Sequence, residues 1–207
     1  MSTPDLTTVN TALLLLGANA LTQTQLTTQS LATAQIMANL WTPTLDEALQ
    51  SHNWNFATVR AGIDCGLVRL TCAPIWGFNA QYGLPDGSCS PYCYMILETN
   101  LAEDQPWRVE YGCSLGIAYR VFVTDGCDPS ILYIGRVDDV TKWSPLFKDA
   151  FAWELAYRAC YPLTRNATLL DFYQKQKEAK WQLARSRDGQ ESRTLMRFLS
   201  TALTNVR

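Results

Sequence analysis

Apolar residues near the start of the chain recur every three or four positions, which is the period of an amphipathic helix. They predict a first helix from about Asp5 to Leu16, ended by Gly17. The stretch 18–30 that follows is polar and rich in Thr and Gln, and it predicts a surface connection.

A second helical pattern begins near Ser30. Pro43 interrupts this pattern, and a proline inside a helix removes one backbone hydrogen bond and crowds the preceding turn. The interruption predicts a kink or a restart of the helix. A restart would use Thr42 as its cap with Pro43 in the first turn, or Thr44 and Glu47 as a capping box.

Short apolar runs alternate with turn residues between positions 58 and 140. Runs of this kind, separated by loops that contain Asp-Gly or Asp-Pro, predict antiparallel strands joined by tight turns. The predicted strands are residues 67–70, 92–99, 107–111, 119–124 and 131–137.

Helical patterns return after this block. Ser144 and Pro145 predict the cap and the first turn of a helix that Pro162 ends. A last helix is predicted over 169–187, with Gly189 as its stop. Its predicted inner stripe consists of Leu169, Phe172, Tyr173, Gln176, Ala179 and Leu183.

Together these elements predict an α+β fold, in which an antiparallel helical bundle carries a β-rich insertion and ends in an extended C-terminal arm. A chain of 207 residues is long enough to bury a core of its own. The predicted divisions are 1–57 with 141–189 for the helical bundle, 58–140 for the β-rich insertion and 190–207 for the C-terminal docking arm.

Charged residues make up only 17% of the chain, and the formal net charge is −2. Low charge on a soluble chain favours a surface that other subunits partly cover. The slightly acidic balance argues against a protein that grips nucleic acid through a basic stripe. The longest apolar run, at residues 12–16, is too short to cross a membrane, and the N-terminus shows no cleavable leader. We therefore expect a protein that is cytosolic when made and has no membrane partner.

The seven cysteines do not form a metal-binding pattern. No CxxC pair occurs, and the single histidine is distant from the cysteines in sequence. We expect reduced thiols that act as small buried hydrophobes, with no metal site and no cofactor. The cysteines are Cys65, Cys72, Cys89, Cys93, Cys113, Cys127 and Cys160.

The candidates for catalysis are His52 and the neighbouring carboxylates Asp138 and Asp139. Nucleophilic catalysis would require an activated Ser or Cys beside His52, and the chain contains no G-x-S-x-G motif. Adjacent strand residues point to opposite faces, so Asp138 and Asp139 do not predict the converging carboxylates of a glycoside hydrolase. We expect no catalytic residue.

Two large aromatic residues, Trp54 and Phe56, flank Asn55 where the second helical pattern ends. Large aromatics bury extensive surface, while an asparagine between them turns or caps the backbone. His52 extends the apolar stripe of the helix by one turn, and we expect it to satisfy the last helix carbonyls. These four residues predict a structural junction between the helix and the β-rich block.

The same junction contributes to a resemblance with a protein family. Ala12-Leu13, Leu16-Gly17 and the run HNWNFA at 52–57 resemble motifs of the tail tubular protein A family of tailed phages. Asn53 stands where the family pattern has proline. Weaker similarities follow in the same order, over roughly residues 9–190: Tyr82–Asp86, Val109–Gly112, Leu132–Ile134, Arg136–Val137 and Pro145–Phe147.

Members of that family are head-to-tail adaptors. The resemblance implies a homo-oligomeric ring of about twelve copies between the portal protein and the downstream tail tube or nozzle protein, with viral DNA passing through it. It also implies that C-terminal arms engage the portal. The implied location is the head–tail junction of the virion, reached after assembly in the host cytoplasm.

The C-terminal segment is apolar and basic, and after Glu191 it contains no acidic residue. A terminus without a partner is usually polar and frayed. We expect this segment to dock in a groove of the portal; the alternative is a final helix packed on its own chain. The predicted portal-binding residues are Arg193, Leu195, Met196, Arg197, Phe198 and Leu199.

Two other functions remain open beside the adaptor. One is a virion-associated glycan hydrolase, whose turnover the substitution Asp138→Asn would abolish. The other is a DNA-binding module, against which the net charge counts. An adaptor differs from an enzyme because it acts through its surfaces and transforms no substrate.

Overall fold

The computed structural model describes residues 3–63, 65–72, 74, 76–88, 90–114 and 117–191. This part of the chain is a mixed α+β fold with five α-helices and two antiparallel sheets. None of the described helices combines the length and the apolar character that a membrane crossing requires. The helices are α1 Leu6–Leu15, α2 Gln23–Thr28, α3 Ala32–Gln50, α4 Pro145–Thr164 and α5 Thr168–Glu191.

The strands of the described chain lie between Thr58 and Gly135. They are β1 Thr58–Ala61, β2 Val68–Arg69, β3 Ala80–Gly83, β4 Cys93–Thr99, β5 Trp107–Ser114, β6 Ile117–Thr124 and β7 Ile131–Gly135. One sheet has the order β1-β7-β4 and the other has the order β2-β3-β6-β5. Every pairing between these strands is antiparallel, so the predicted strand orientation is confirmed.

Strands β1 and β3 were missing from the prediction because neither contains a run of apolar residues. Each pairs with a longer strand, β1 with β7 and β3 with β6. A neighbouring strand supplies backbone hydrogen bonds whatever the side chains are, so short segments of mixed polarity can join a sheet.

Two predicted helix starts are confirmed. Asp5 caps α1, where its carboxylate accepts a hydrogen bond from the backbone N–H of Thr8 at 2.9 Å. Ser144 caps α4 in the same way through the N–H of Phe147 at 3.3 Å, and Pro145 occupies the first turn. Each cap satisfies an N–H group that the first helical turn leaves free.

Our prediction of a surface connection over 18–30 is wrong, because α2 occupies part of this stretch. Thr22 and Gln25 form a capping box, in which each side chain bonds the other residue's backbone N–H. Leu26 is buried against the helical core. A capping box and a single buried leucine stabilise one short helix without the repeated apolar pattern on which the prediction depended.

Helix α3 continues through Pro43, so the predicted restart is also wrong. Trp41 and Leu45, on either side of the proline, are fully buried. Their packing offsets the hydrogen bond that proline cannot donate. Thr42 and Thr44 lie inside the helix, whose N-cap is Leu31.

Both C-terminal helices run farther than predicted. Helix α4 continues past Pro162 to Thr164, where Arg165 takes a left-handed conformation with φ 54° and donates its N–H to the Tyr161 carbonyl. Helix α5 passes through Gly189 and reaches Glu191, the last residue that the structure describes. Glycine lowers helix propensity but does not by itself end a helix.

The buried face of α5 also differs from the predicted inner stripe. The buried residues are Tyr173, Trp181, Ala184 and Asp188. Four members of the predicted stripe are exposed instead, namely Leu169, Phe172, Ala179 and Leu183. Helix α5 carries two adjacent apolar stripes, and periodicity alone does not say which one faces the core.

Helix α4 lies at the centre of the helical core, because it packs against α1, α3 and α5. The buried aromatic residues of this core are Trp41, Trp54, Trp143, Phe147, Phe151, Tyr173 and Trp181. A second, smaller cluster lies in the β-rich part, around Tyr82, Phe122 and Tyr133. Ile134 of β7 belongs to the helical core, so the three-stranded sheet packs against the helices.

Candidate functional site

The residues between α3 and β1 form the candidate site, and Trp54 is at its centre. Trp54 is fully buried. Its ring lies 4.9 Å from that of Phe147 and 5.8 Å from that of Trp181. Its indole N–H donates to the carbonyl of Ala48 at 2.8 Å, so the polar atom of a buried side chain has a partner.

Asn55 connects this site to the far end of α5. Its backbone N–H donates to the carboxylate of Asp188 at 3.1 Å, and its side-chain amide donates to the Asp188 carbonyl at 2.6 Å. Phe56 packs beside Asn55, with its ring 4.9 Å from Phe147. Residues 133 positions apart are therefore bonded at one point, which ties the start of the β-rich part to α5.

His52 does not bond the helix carbonyls in the way that we expected. Its Nε2 lies 3.3 Å from a carboxylate oxygen of Asp188, and its ring meets Trp54 edge-on at 4.7 Å. The carbonyl of Ala48 instead accepts from Trp54 and from the hydroxyl of Ser51 at 2.8 Å. His52 thus belongs to the contact with α5.

Sequence reasoning missed Asp188. This carboxylate is buried, and both His52 and Asn55 face it. The available signal was its spacing of seven residues from Trp181, which places both side chains on one helix face. The predicted helix stop at Gly189 concealed that signal.

A buried acidic residue, Glu154 of α4, holds α4 and α5 together. It accepts hydrogen bonds from Arg158 at 2.9 Å, from Lys177 at 3.2 Å and from the indole of Trp181 at 3.0 Å. Burial raises the pKa of Glu154, but the hydrogen bonds from Arg158 and Trp181 and the charge of Lys177 outweigh burial, so the pKa lies below its ordinary value. Glu154 therefore remains ionised near neutral pH and is structural.

This charge cluster lines a cleft of about 320 Å³ between α3, α4 and α5. Arg158 also pairs with Glu47 of α3, with 2.5 Å between the charged atoms. Opposite charges are therefore already paired with one another inside the cleft. That arrangement suits a connection among helices, because it leaves no concentrated charge for a ligand.

A second polar connection joins α3 to the three-stranded sheet. The hydroxyl of Tyr94 in β4 donates to Asp46 at 2.5 Å, and Arg136, just after β7, lies 3.5 Å from the same carboxylate. Burial and the hydrogen bond to Asp46 both raise the pKa of Tyr94, which keeps the phenol protonated. The helical and β-rich parts are thus bonded at two separate points.

The structure assigns local roles to Asp138 and Asp139. Asp138 accepts a hydrogen bond from Arg136 at 2.9 Å. Asp139 caps a short turn by accepting from the backbone N–H of Thr141 at 3.0 Å, and hydrogen bonds from Thr141 lower its pKa. A general acid for glycoside hydrolysis needs a raised pKa, which is the opposite direction.

Cys93 and Cys160 are buried as predicted, whereas Cys65 and Cys127 are exposed, so the prediction of buried thiols is wrong at these two positions. The thiols of Cys65, Cys93, Cys127 and Cys160 are free. Within the described ranges, no group of three His, Cys, Asp or Glu residues could hold a metal ion. Burial raises the pKa of Cys93 to about 11, so this thiol stays protonated and unreactive.

Several large apolar side chains are exposed, and the sequence did not predict which ones. Trp76 is 84% exposed and Tyr111 is 81% exposed, both in the β-rich part. On the helices and at their ends the exposed residues are Leu14, Leu31, Tyr161, Leu169, Phe172 and Leu183. Exposed apolar residues are candidates for contact with partners when they cluster.

The predicted portal-binding residues at positions 193–199 lie outside the described residues. The structure therefore leaves the role of Arg193, Leu195, Met196, Arg197, Phe198 and Leu199 as a prediction. A scan against protein-family models and a search of curated proteins found no match to this chain.

Proposed function

We propose that this protein is a head-to-tail adaptor of a tailed phage. In this proposal its helices form an antiparallel bundle that bears the β-rich insertion, and its copies form a ring between the portal and the tail. The observation that carries the proposal is the motif at 52–57, where the resemblance to the adaptor family is strongest. That motif forms a buried connection between the helices and the β-rich part.

A buried connection of this kind suits an architectural protein. Force or torsion applied to the β-rich part passes to the helices through Trp54, Asn55 and Asp188, and also through Tyr94 and Asp46. Packed aromatics and buried hydrogen bonds resist displacement because a shift at either point leaves polar groups without partners. An adaptor needs such rigidity to keep a ring in register.

Exposed apolar residues on both parts support the same proposal. A closed ring requires two different and complementary surfaces on each subunit. The described chain exposes Phe172 and Leu183 on α5, and Trp76 in the β-rich part. The net charge of −2 fits a bore that lets DNA slide, because a basic wall would retain phosphates.

The C-terminal segment supplies the portal contact in this proposal. Helix α5 reaches Glu191, so the apolar and basic strip at 193–199 begins directly beyond a structured helix. In this proposal α5 remains anchored at Asp188 while the strip binds the portal.

Electron microscopy of the purified protein mixed with its portal tests the proposal. We expect ring-shaped complexes on the portal vertex. Removal of residues 192–207 should abolish portal binding without changing the circular dichroism spectrum. The matched control removes only residues 201–207, which leaves the strip intact and should retain binding.

Absence of any complex with the portal would contradict the adaptor, and retained binding after removal of 192–207 would contradict the role of the segment. The hydrolase alternative predicts turnover of a surface glycan that Asp138→Asn abolishes. We expect no turnover, because Asp138 is paired with Arg136 and the pKa of Asp139 is lowered.

A further inference from the structure

Strand β5 forms an exposed edge of the four-stranded sheet. It stands last in the order β2-β3-β6-β5, and among the described strands its only partner is β6. Residues 106–111 are all exposed. The backbone groups along its outer side are therefore available to another strand, which natural proteins usually prevent.

The side chains of β5 form a pattern that is symmetric about its centre in side-chain class, with the sign of the charge reversed. Trp107, Val109 and Tyr111 share one face of the strand, and Arg108 and Glu110 share the other. Around Val109 as the centre, an aromatic residue lies two positions away on each side. A charge lies one position away on each side, and the two charges are of opposite sign.

We propose that β5 pairs in antiparallel orientation with β5 of a second copy of this chain, with Val109 at the twofold axis. This register places Arg108 opposite Glu110 of the second copy, twice in each pair of chains. It also places Trp107 opposite Tyr111. Opposite charges and paired aromatics directly across two strands both stabilise a sheet.

Other registers are less favourable for the same strand. A shift by two residues places either Arg108 opposite Arg108 or Glu110 opposite Glu110, and like charges directly opposite each other are destabilising. A shift by one residue places charged side chains opposite apolar ones. Parallel pairing brings identical residues side by side. The sequence of β5 therefore favours a second copy in one register as the occupant of this edge.

The contact is independent of the proposed adaptor ring. A twofold contact uses the same patch on both chains and closes with two copies, whereas a ring requires two different patches. We therefore assign the β5 contact to the free chain before it meets the portal. Its failure would leave the adaptor proposal unaffected, and the reverse also holds.

Sedimentation velocity of the full chain over a concentration series tests this contact. We expect a concentration-dependent rise from the 23.3 kDa of one chain to twice that mass. Arg108→Glu and Glu110→Arg each convert both cross-strand pairs to like charges, so each should weaken the dimer by at least about tenfold. Lys175→Glu, an equal change of charge at an exposed position of α5, should leave the dimer unchanged.

Mixing the two single variants is the decisive measurement. Arg108→Glu in one chain and Glu110→Arg in the other restore opposite charges across the strands, so the mixture should dimerise more tightly than either variant alone. The double variant that carries both changes should also dimerise. Circular dichroism of each variant checks that the chain remains folded.

Three results would overturn the proposal. The first is a wild-type chain that stays monomeric up to about 100 µM, a concentration at which weak contacts are populated. The others are single variants that dimerise as well as wild type and a mixture that stays monomeric. Portal binding measured on the same variants should be unchanged. If the wild-type chain dimerises but does not bind the portal, the adaptor proposal fails and the β5 contact stands.

Discussion

The helical and β-rich parts of this molecule use their aromatic residues differently. In the helical part Trp41, Trp54 and Phe147 are fully buried against one another and their neighbours. In the β-rich part Trp76 and Tyr111 are more than four-fifths exposed. Buried aromatics stabilise a fold, whereas exposed ones contribute mainly when a partner covers them. The helices thus hold the larger cluster of buried aromatics. The β-rich part also buries Tyr82, Phe122 and Tyr133, but it exposes Trp76 and Tyr111 to a partner.

Charge follows the same division. Glu154 is buried among Arg158, Lys177 and Trp181, where it links helices. Arg108 and Glu110 are exposed on β5. A buried charge is costly to leave without partners, while an exposed charge is close to neutral for stability and sets the register of a contact.

The largest expected effect is that of Trp54→Ala. Removal of this ring leaves a cavity among Phe147 and Trp181 and should lower the free energy of unfolding by about 3–5 kcal/mol. Trp76→Ala is the matched control and should change it by less than about 0.5 kcal/mol, because that side chain is exposed. Urea unfolding followed by circular dichroism measures both. Equal losses would contradict the division between the two parts.

The next effect concerns the buried charge. Glu154→Gln removes the anion that compensates Arg158 and Lys177, and should cost about 2–4 kcal/mol in unfolding free energy. Glu178→Gln changes an exposed carboxylate on α5 and should cost less than about 0.5 kcal/mol. If both variants unfold at the same urea concentration as wild type, Glu154 is not structural.

The pH dependence of the unfolding free energy is a further test of the role of Glu154. The pKa of Glu154 is lowered in the folded state, so its contribution to stability is complete above the unfolded pKa of about 4.3 and is lost as pH falls through the folded value. Wild type should therefore lose stability from about pH 5 downwards more steeply than Glu154→Gln. Parallel curves for the two proteins would show that another carboxylate is responsible.

A smaller effect is expected at the contact between α5 and the junction. Asp188→Asn keeps an acceptor for the N–H of Asn55 but removes the charge, and should cost about 1–2 kcal/mol. Asp104→Asn, in an exposed loop, should leave unfolding unchanged. Hydrogen exchange of the Asn55 amide should accelerate in Asp188→Asn only. An unchanged rate would show that the bond to Asp188 does not protect this amide.

The smallest effect on stability belongs to Tyr111→Ala. The exposed ring should contribute less than about 0.5 kcal/mol to unfolding. The same substitution removes both aromatic cross-strand pairs of the proposed β5 contact and should weaken the dimer severalfold. Sedimentation and unfolding measured on one sample separate the two effects, and a large loss of stability would show that the ring packs within its own chain.

Sequence reasoning recovered the elements whose signals are local. The start of α1 near Asp5, the cap at Ser144 and the apolar runs of β4 to β7 each depend on a few adjacent residues, and the structure confirms them. It failed at Pro43 and Gly189, where packing against other helices overrides a local breaker. Such packing energy is not present in any short window of sequence.

The candidate site shows the same limit. The motif at 52–57 is visible in the sequence as two aromatics around an asparagine, but its partner Asp188 lies 133 residues beyond Asn55. The sequence by itself determined that a helix would end there and that Trp54 would be buried. Only the tertiary structure decided which stripe of α5 faces inward, that Asp188 meets Asn55 and His52, and that β5 is an edge. Those outcomes depend on long-range packing, in which two nearly equal apolar faces compete and the neighbouring elements select one.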